Sequence, residues 1–87
     1  MRLCLLYHPV SEHGRQVESY AREFATRYST NPELVSVETR EGADMARLYD
    51  VVQYPAVLAL ADDGTLSKYW QGDMLPLMDE VAGYLHG

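Results

Sequence analysis

The stretch that most restricts the fold is LCLLY, residues 3 to 7, an apolar run with no polar interruption. A strand with one wet face alternates apolar and polar side chains, so a run that is apolar on both sides belongs in a sheet covered on both faces. Residues 2 to 7 are therefore predicted as a core strand. Val17, Tyr20, Ala21, Phe24, Ala25 and Tyr28 then recur at steps of three and four, with Glu18 to Arg22 and Glu23 to Arg27 as favourable pairs on the opposite face. This predicts a helix from about Ser11 to Tyr28, broken by STNP at 29–32. ELVSVE at 33–38 reads as a second strand with Val35 and Val37 on one face. A helix joining two such strands makes them parallel through a right-handed crossover.

A shorter helix is carried by Ala43, Ala46, Leu48 and Tyr49, with Gly42 near its start. AVLALA and TLSKYW are two extended runs on either side of DDG, and Asp63-Gly64 suits a two-residue type I′ hairpin turn, whose central positions both need positive φ. Asp73 is placed to cap a last helix whose Leu77, Val81, Tyr84 and Leu85 face the core, with Pro76 in its first turn. The predicted order is βαβαββα, an α/β chain of four strands and three helices. At 87 residues it forms a single domain with one modest core, burying about 60–65% of the surface of the unfolded chain.

What holds that core together is narrowed by the cysteine count. Cys4 is the only one, so no intramolecular disulfide forms, and one cysteine with three scattered histidines gives no structural zinc spacing. Inside LCLLY it reads as a small buried hydrophobe. Seven basic against 13 acidic residues leave a net charge of −6 with no Lys/Arg cluster, which argues against nucleic acid and anionic membranes as partners. A basic or neutral protein or peptide partner is expected, with the chain itself a monomer or weak homodimer. No window approaches the roughly 20 apolar residues of a membrane span. The N-terminal run, ending at Tyr7 before His8-Pro9, is too short for a secretory signal, so the expected location is cytoplasmic.

Chemistry is expected where the first strand meets the first helix, at YHPVSEHGR, residues 7 to 15, because exposed backbone N–H groups converge there. Ser11 reads as the helix N-cap, and Glu12 lies favourably beside the positive end of the helix dipole. His13 is expected as a neutral imidazole that donates or accepts one hydrogen bond. A Ser11/His13 nucleophile pair fails, since residues two apart on a helix do not face each other. His8 and His13 are one residue too far apart for the H-x-x-E-H zinc motif and are separated by Pro9, so no metal site is expected.

The element order, with the turn after the first strand, the run VVQYPAVLAL before the hairpin and ADDGTLSKYWQGD leading into the last helix, resembles the thioredoxin and glutaredoxin superfamily over essentially the whole chain. The resemblance implies a four-stranded mixed sheet in the order 2-1-3-4, with the first and third helices on one face and the second on the other. It also implies a cis proline, for which Pro55 is the candidate, facing the start of the first helix. Where that superfamily has Cys-x-x-Cys, this chain has Ser11-Glu12-His13-Gly14. An alcohol supplies no thiolate for disulfide exchange, so the redox activity is not carried over. The resemblance implies a surviving surface, since the backbone beside the proline pairs there with extended peptides or glutathione. The candidate binding residues are Tyr7, Ser11, Glu12, His13, Tyr54 and Pro55, and the expectation is a redox-inactive binding module without cofactor.

Two alternatives stay open. PVSEHGRQV is similar to the start of the first helix in serine-class glutathione transferases, with Ser11 and Arg15 at matching positions, which implies glutathione as ligand and Ser11 as the group that lowers its thiol pKa. Against it, those enzymes hold the γ-glutamyl end with an acidic residue and a serine where this chain has Gln71-Gly72-Asp73, and they carry a further helical domain. The other alternative is a structural subunit whose tyrosine-rich surface is an oligomer interface.

Overall fold

The computed structural model describes residues 1–72 and 74–86, the side chain at 86 apart. In chain order the elements are β1 (Arg2–Tyr7), α1 (Gly14–Tyr28), β2 (Glu33–Ser36), α2 (Arg40–Leu48), β3 (Ala56–Leu60), β4 (Leu66–Gln71) and α3 (Met78–His86). The four strands make one sheet in the order β2-β1-β3-β4, with β1 parallel to β2 and the other pairs antiparallel. β1 and β3 occupy the centre, which explains why LCLLY and AVLAL are buried on both faces. Alternation splits β1 between two cores. Leu3, Leu5 and Tyr7 pack with Val17, Ala21 and Phe24 of α1 and Val81 and Ala82 of α3; Cys4 and Leu6 pack with Val35, Ala46, Val51, Leu58 and Leu60 on the α2 side.

α1 ends as its sequence suggests, with Ser29 in the left-handed region (φ 55°) and its N–H returned to the Ala25 carbonyl. Its surface pairing is only half as expected. Glu23 and Arg27 lie 3.5 Å apart, but the Glu18 carboxylate turns inward and accepts a 3.0 Å hydrogen bond from the Tyr7 hydroxyl. A phenol buried at its ring needs a partner, and this one is within reach. α2 is capped by Thr39, whose hydroxyl accepts from the Gly42 N–H at 3.0 Å. Leu48, expected toward the core, is 73% exposed, because the inward stripe is completed by Ala46 and Tyr49 and then by Val51.

The β3–β4 hairpin has a three-residue loop and not the two-residue type I′ turn. Gly64 N–H bonds to the Ala61 carbonyl at 2.9 Å, Ala61 N–H bonds to the Thr65 carbonyl at 2.8 Å, and only Gly64 in the loop has positive φ (89°). Asp63 therefore keeps an ordinary backbone, as in a type I turn followed by one left-handed glycine. The loop sets Leu60 opposite Leu66, and an irregularity between Ala59 and Leu60 then shifts the ladder by one, so that Ala56 faces Gln71. That is the pairing a two-residue loop would have produced. Asp73, expected as a cap, lies outside the described residues. Pro76 precedes α3, Leu77 is 76% exposed, and it is the Leu77 carbonyl that accepts the first helical bond, from the Val81 N–H at 3.2 Å. Val81 and Leu85 face the core as expected, whereas Tyr84 stands at the surface, its ring edge-on to Trp70. Among the described residues no helix is long and apolar enough to cross a membrane.

Candidate functional site

Tyr7 ends β1, and the chain must turn before it can enter α1. It does so through a tight turn at residues 8 to 11: the His8 carbonyl accepts both the Ser11 N–H (3.1 Å) and the Ser11 hydroxyl (2.6 Å). Ser11 is thus not the helix cap. Its side chain is committed backward to the strand end, a local bond that serine hydroxyls form readily in turns. The helix starts two residues later. His13 stands at the cap position without a side-chain capping bond, and its carbonyl accepts the Val17 N–H at 3.0 Å. Gly14 follows because the chain passes directly over Pro9, where a Cβ would overlap the Pro9 carbonyl.

His13 folds back over the turn. Its Nε2 accepts the His8 N–H at 3.2 Å. The His8 ring lies edge-on to Tyr54, centroids 5.2 Å apart at 83°, and 6.1 Å from the His13 ring. The Tyr54–Pro55 peptide bond is cis, and Pro55 is buried. Turn and proline corner are therefore adjacent, joined through His8.

Four of the six residues singled out from the sequence, Ser11, His13, Tyr54 and Pro55, gather in this turn and corner, and Glu12 is exposed beside them in the turn. Tyr7 does not. It is 5% exposed, packs under α1 on the opposite face of the sheet from Tyr54, and burial followed by the Glu18 carboxylate raises its pKa. Strand alternation accounts for this: with Tyr7 toward α1, the next residue, His8, turns to the Tyr54 side. His8 is the site residue that composition missed and period-two counting would have found. Tyr54 itself is half-buried against the α2-side core.

The backbone at the corner is held on both flanks. The Gln71 side-chain oxygen accepts the N–H groups of Val52 (3.0 Å) and Gln53 (3.1 Å), and the Pro55 carbonyl accepts the Gly72 N–H (3.1 Å). Between them, the N–H and C=O of Tyr54 have no hydrogen-bond partner among the described residues. The one thiol is remote from this place in kind as well as position. Cys4 is fully buried in β1, its Sγ 3.5 Å from the Glu33 carboxylate, and burial first and that carboxylate second push its pKa up to about 11. Among the described residues no three His, Cys, Asp or Glu side chains converge on a point where a metal would sit.

This architecture superposes on thioredoxin 1 from the thermophilic eubacterium Thermosipho africanus TCF52B with a TM-score of 0.70 over 98% of this chain and 90% of that one, at 14% sequence identity. The fold is that of thioredoxin. No family model and no curated protein matches the sequence. A thioredoxin fold is thus built here around a first-helix turn that contains no cysteine.

Proposed function

We propose that the chain is a thioredoxin-fold binding module without dithiol chemistry, and that it receives an extended peptide segment along the Tyr54 edge beside the start of α1. The observation that carries this reading is that, between two braced flanks, the Tyr54 N–H and C=O have no partner among the described residues. A backbone donor and acceptor left free on one residue beside a sheet edge form the unit to which a further strand adds. His8, Ser11, Glu12 and His13 line the approach, and Val10 and Val52, 86% and 72% exposed, offer apolar surface on the same two segments. The glutathione reading has less support, because Ser11 already donates its hydroxyl proton to the His8 carbonyl and is not free to donate to a thiolate.

The test is a screen of random nonapeptides followed by amide NMR titration of the hits, with reduced glutathione in parallel. Shifts centred on Tyr54, His8 and residues 10 to 13, with slowed exchange of the Tyr54 amide, are expected from peptide. Shifts from glutathione alone, or no response at this corner to any peptide at millimolar concentration, would reject the reading.

A further inference from the structure

The structure assigns to Gln71 the role of a positioning residue, which sets the backbone of residues 52 to 54 so that the Tyr54 edge is presented open; this inference rests on the peptide-binding reading. Both groups facing the Gln71 amide are N–H donors, so its oxygen must be the atom turned toward them. One side-chain oxygen thereby holds two consecutive backbone amides. Residues 52 and 53 lie before β3 begins at Ala56, so no ladder bond holds them in place. Without Gln71 their amides would face water and the segment would be free to turn.

Register explains why a residue at the end of β4 reaches this segment. Ala56 pairs with Gln71, and the Gly72 N–H continues the contact to the Pro55 carbonyl, so β4 ends beside the corner. Gly72, with φ 122°, adopts a backbone that side chains rarely allow, and a Cβ there would sit 3.3 Å from the Gln53 side-chain oxygen. Gln53, Gln71 and Gly72 thus form a brace on the two sides of Tyr54, which takes up the N–H groups of Val52, Gln53 and Gly72 and the carbonyl of Pro55. The irregularity in the hairpin ladder now has a functional consequence. It restores the register that puts Gln71, and not its neighbour, opposite Ala56.

The experiment compares the parent chain with Gln71→Glu and Gln71→Leu. A carboxylate still accepts two N–H bonds, and Leu accepts none. In the free proteins, hydrogen exchange at the Val52 and Gln53 amides should be slow in the parent and in Gln71→Glu and about tenfold faster in Gln71→Leu, the scale of two lost hydrogen bonds. The urea midpoint should move little. A nonapeptide selected on the parent should bind Gln71→Glu normally and Gln71→Leu at least about fivefold more weakly. Equal affinity for Gln71→Leu, despite faster exchange, overturns the positioning role. So does weak binding to Gln71→Glu with slow exchange, which would make Gln71 a direct contact. If Gln71→Leu unfolds, Gln71→Asn, too short to reach both amides, replaces it. If no peptide binds the parent although its amides are slow, the groove reading itself fails and the role of Gln71 in it falls with it, an outcome distinct from the first two.

Discussion

Cys4 is a thiol held as a core residue in β1, away from the turn before α1. Its thiol is fully buried, and loss of water around the thiolate, reinforced by the Glu33 carboxylate, holds the proton up to about pH 11 against an ordinary 9.0. The native protein should therefore resist alkylation at pH 8 and react only after denaturant is added, as followed by mass spectrometry; rapid labelling without denaturant would contradict the placement. The same shift couples to stability. Below pH 9 the thiol is protonated in both folded and unfolded chains, so its contribution is fully present there. As pH rises from about 9 to 11 the unfolded chain releases the proton first, and stability falls by an amount on the order of 2 kcal/mol. Tyr20, raised to about 12 by burial, adds a later loss in the same direction. A Cys4→Ala chain isolates the thiol's part: its urea midpoint should decline less between pH 8 and pH 10 than that of the parent.

Single elements test whether the packing is understood, and two glycines in helices make opposite predictions. Replacing an interior helix glycine by alanine ordinarily stabilises by about 0.5–1 kcal/mol. Gly83 in α3 follows that rule, because a Cβ there meets nothing, and Gly83→Ala should raise the urea midpoint accordingly. Gly42 in α2 does not. A Cβ there would overlap the Ser36 carbonyl, backbone that cannot swing aside, so Gly42→Ala should destabilise by about 1–3 kcal/mol despite its better helix propensity. From sequence, Gly42 looked only like a weak helix start. Patterns of period and burial were legible in β1, in the α1 stripe and at Val35 of β2, although that strand ends at Ser36 and leaves Val37, expected in it, in the turn that follows; the proline corner was legible only through the resemblance that VVQYPAVLAL carries. What escaped were the places where a polar side chain or a turn residue has more than one local arrangement open to it. Ser11 could bond forward to a helix N–H or backward to the His8 carbonyl, and Asp63 could share a left-handed turn with Gly64 or leave it to Gly64 alone. Such choices depend on where the chain must go next, which spacing does not encode. The role of Gln71 was hidden for the same reason, since it rests on a ladder register fixed by two irregularities that cancel.

At the scale of the whole molecule, the absence of a second thiol means that insulin reduction by dithiothreitol should run at its uncatalysed rate in the presence of this chain, because exchange needs a thiolate that the first-helix turn does not supply. Turnover above that rate would mean that some other group performs the chemistry. The net charge of −6 makes a separate claim about association. The molecule measures 30 × 28 × 18 Å, and the Debye length is about 30 Å at 0.01 M salt and about 8 Å at 0.15 M. At low salt an approaching peptide therefore responds to the charge of the entire chain, whereas at higher salt it responds only to groups within a few ångströms. A selected nonapeptide flanked by lysines should associate roughly tenfold faster than the same peptide flanked by glutamates at 0.01 M, with similar dissociation rates. The difference should largely vanish by about 0.5 M, as read by stopped-flow fluorescence of Trp70 or a labelled peptide. A preference that persists at high salt and appears in the dissociation rate would instead point to direct pairing with a local carboxylate, for which Glu12, exposed in the turn before α1, is the group to replace.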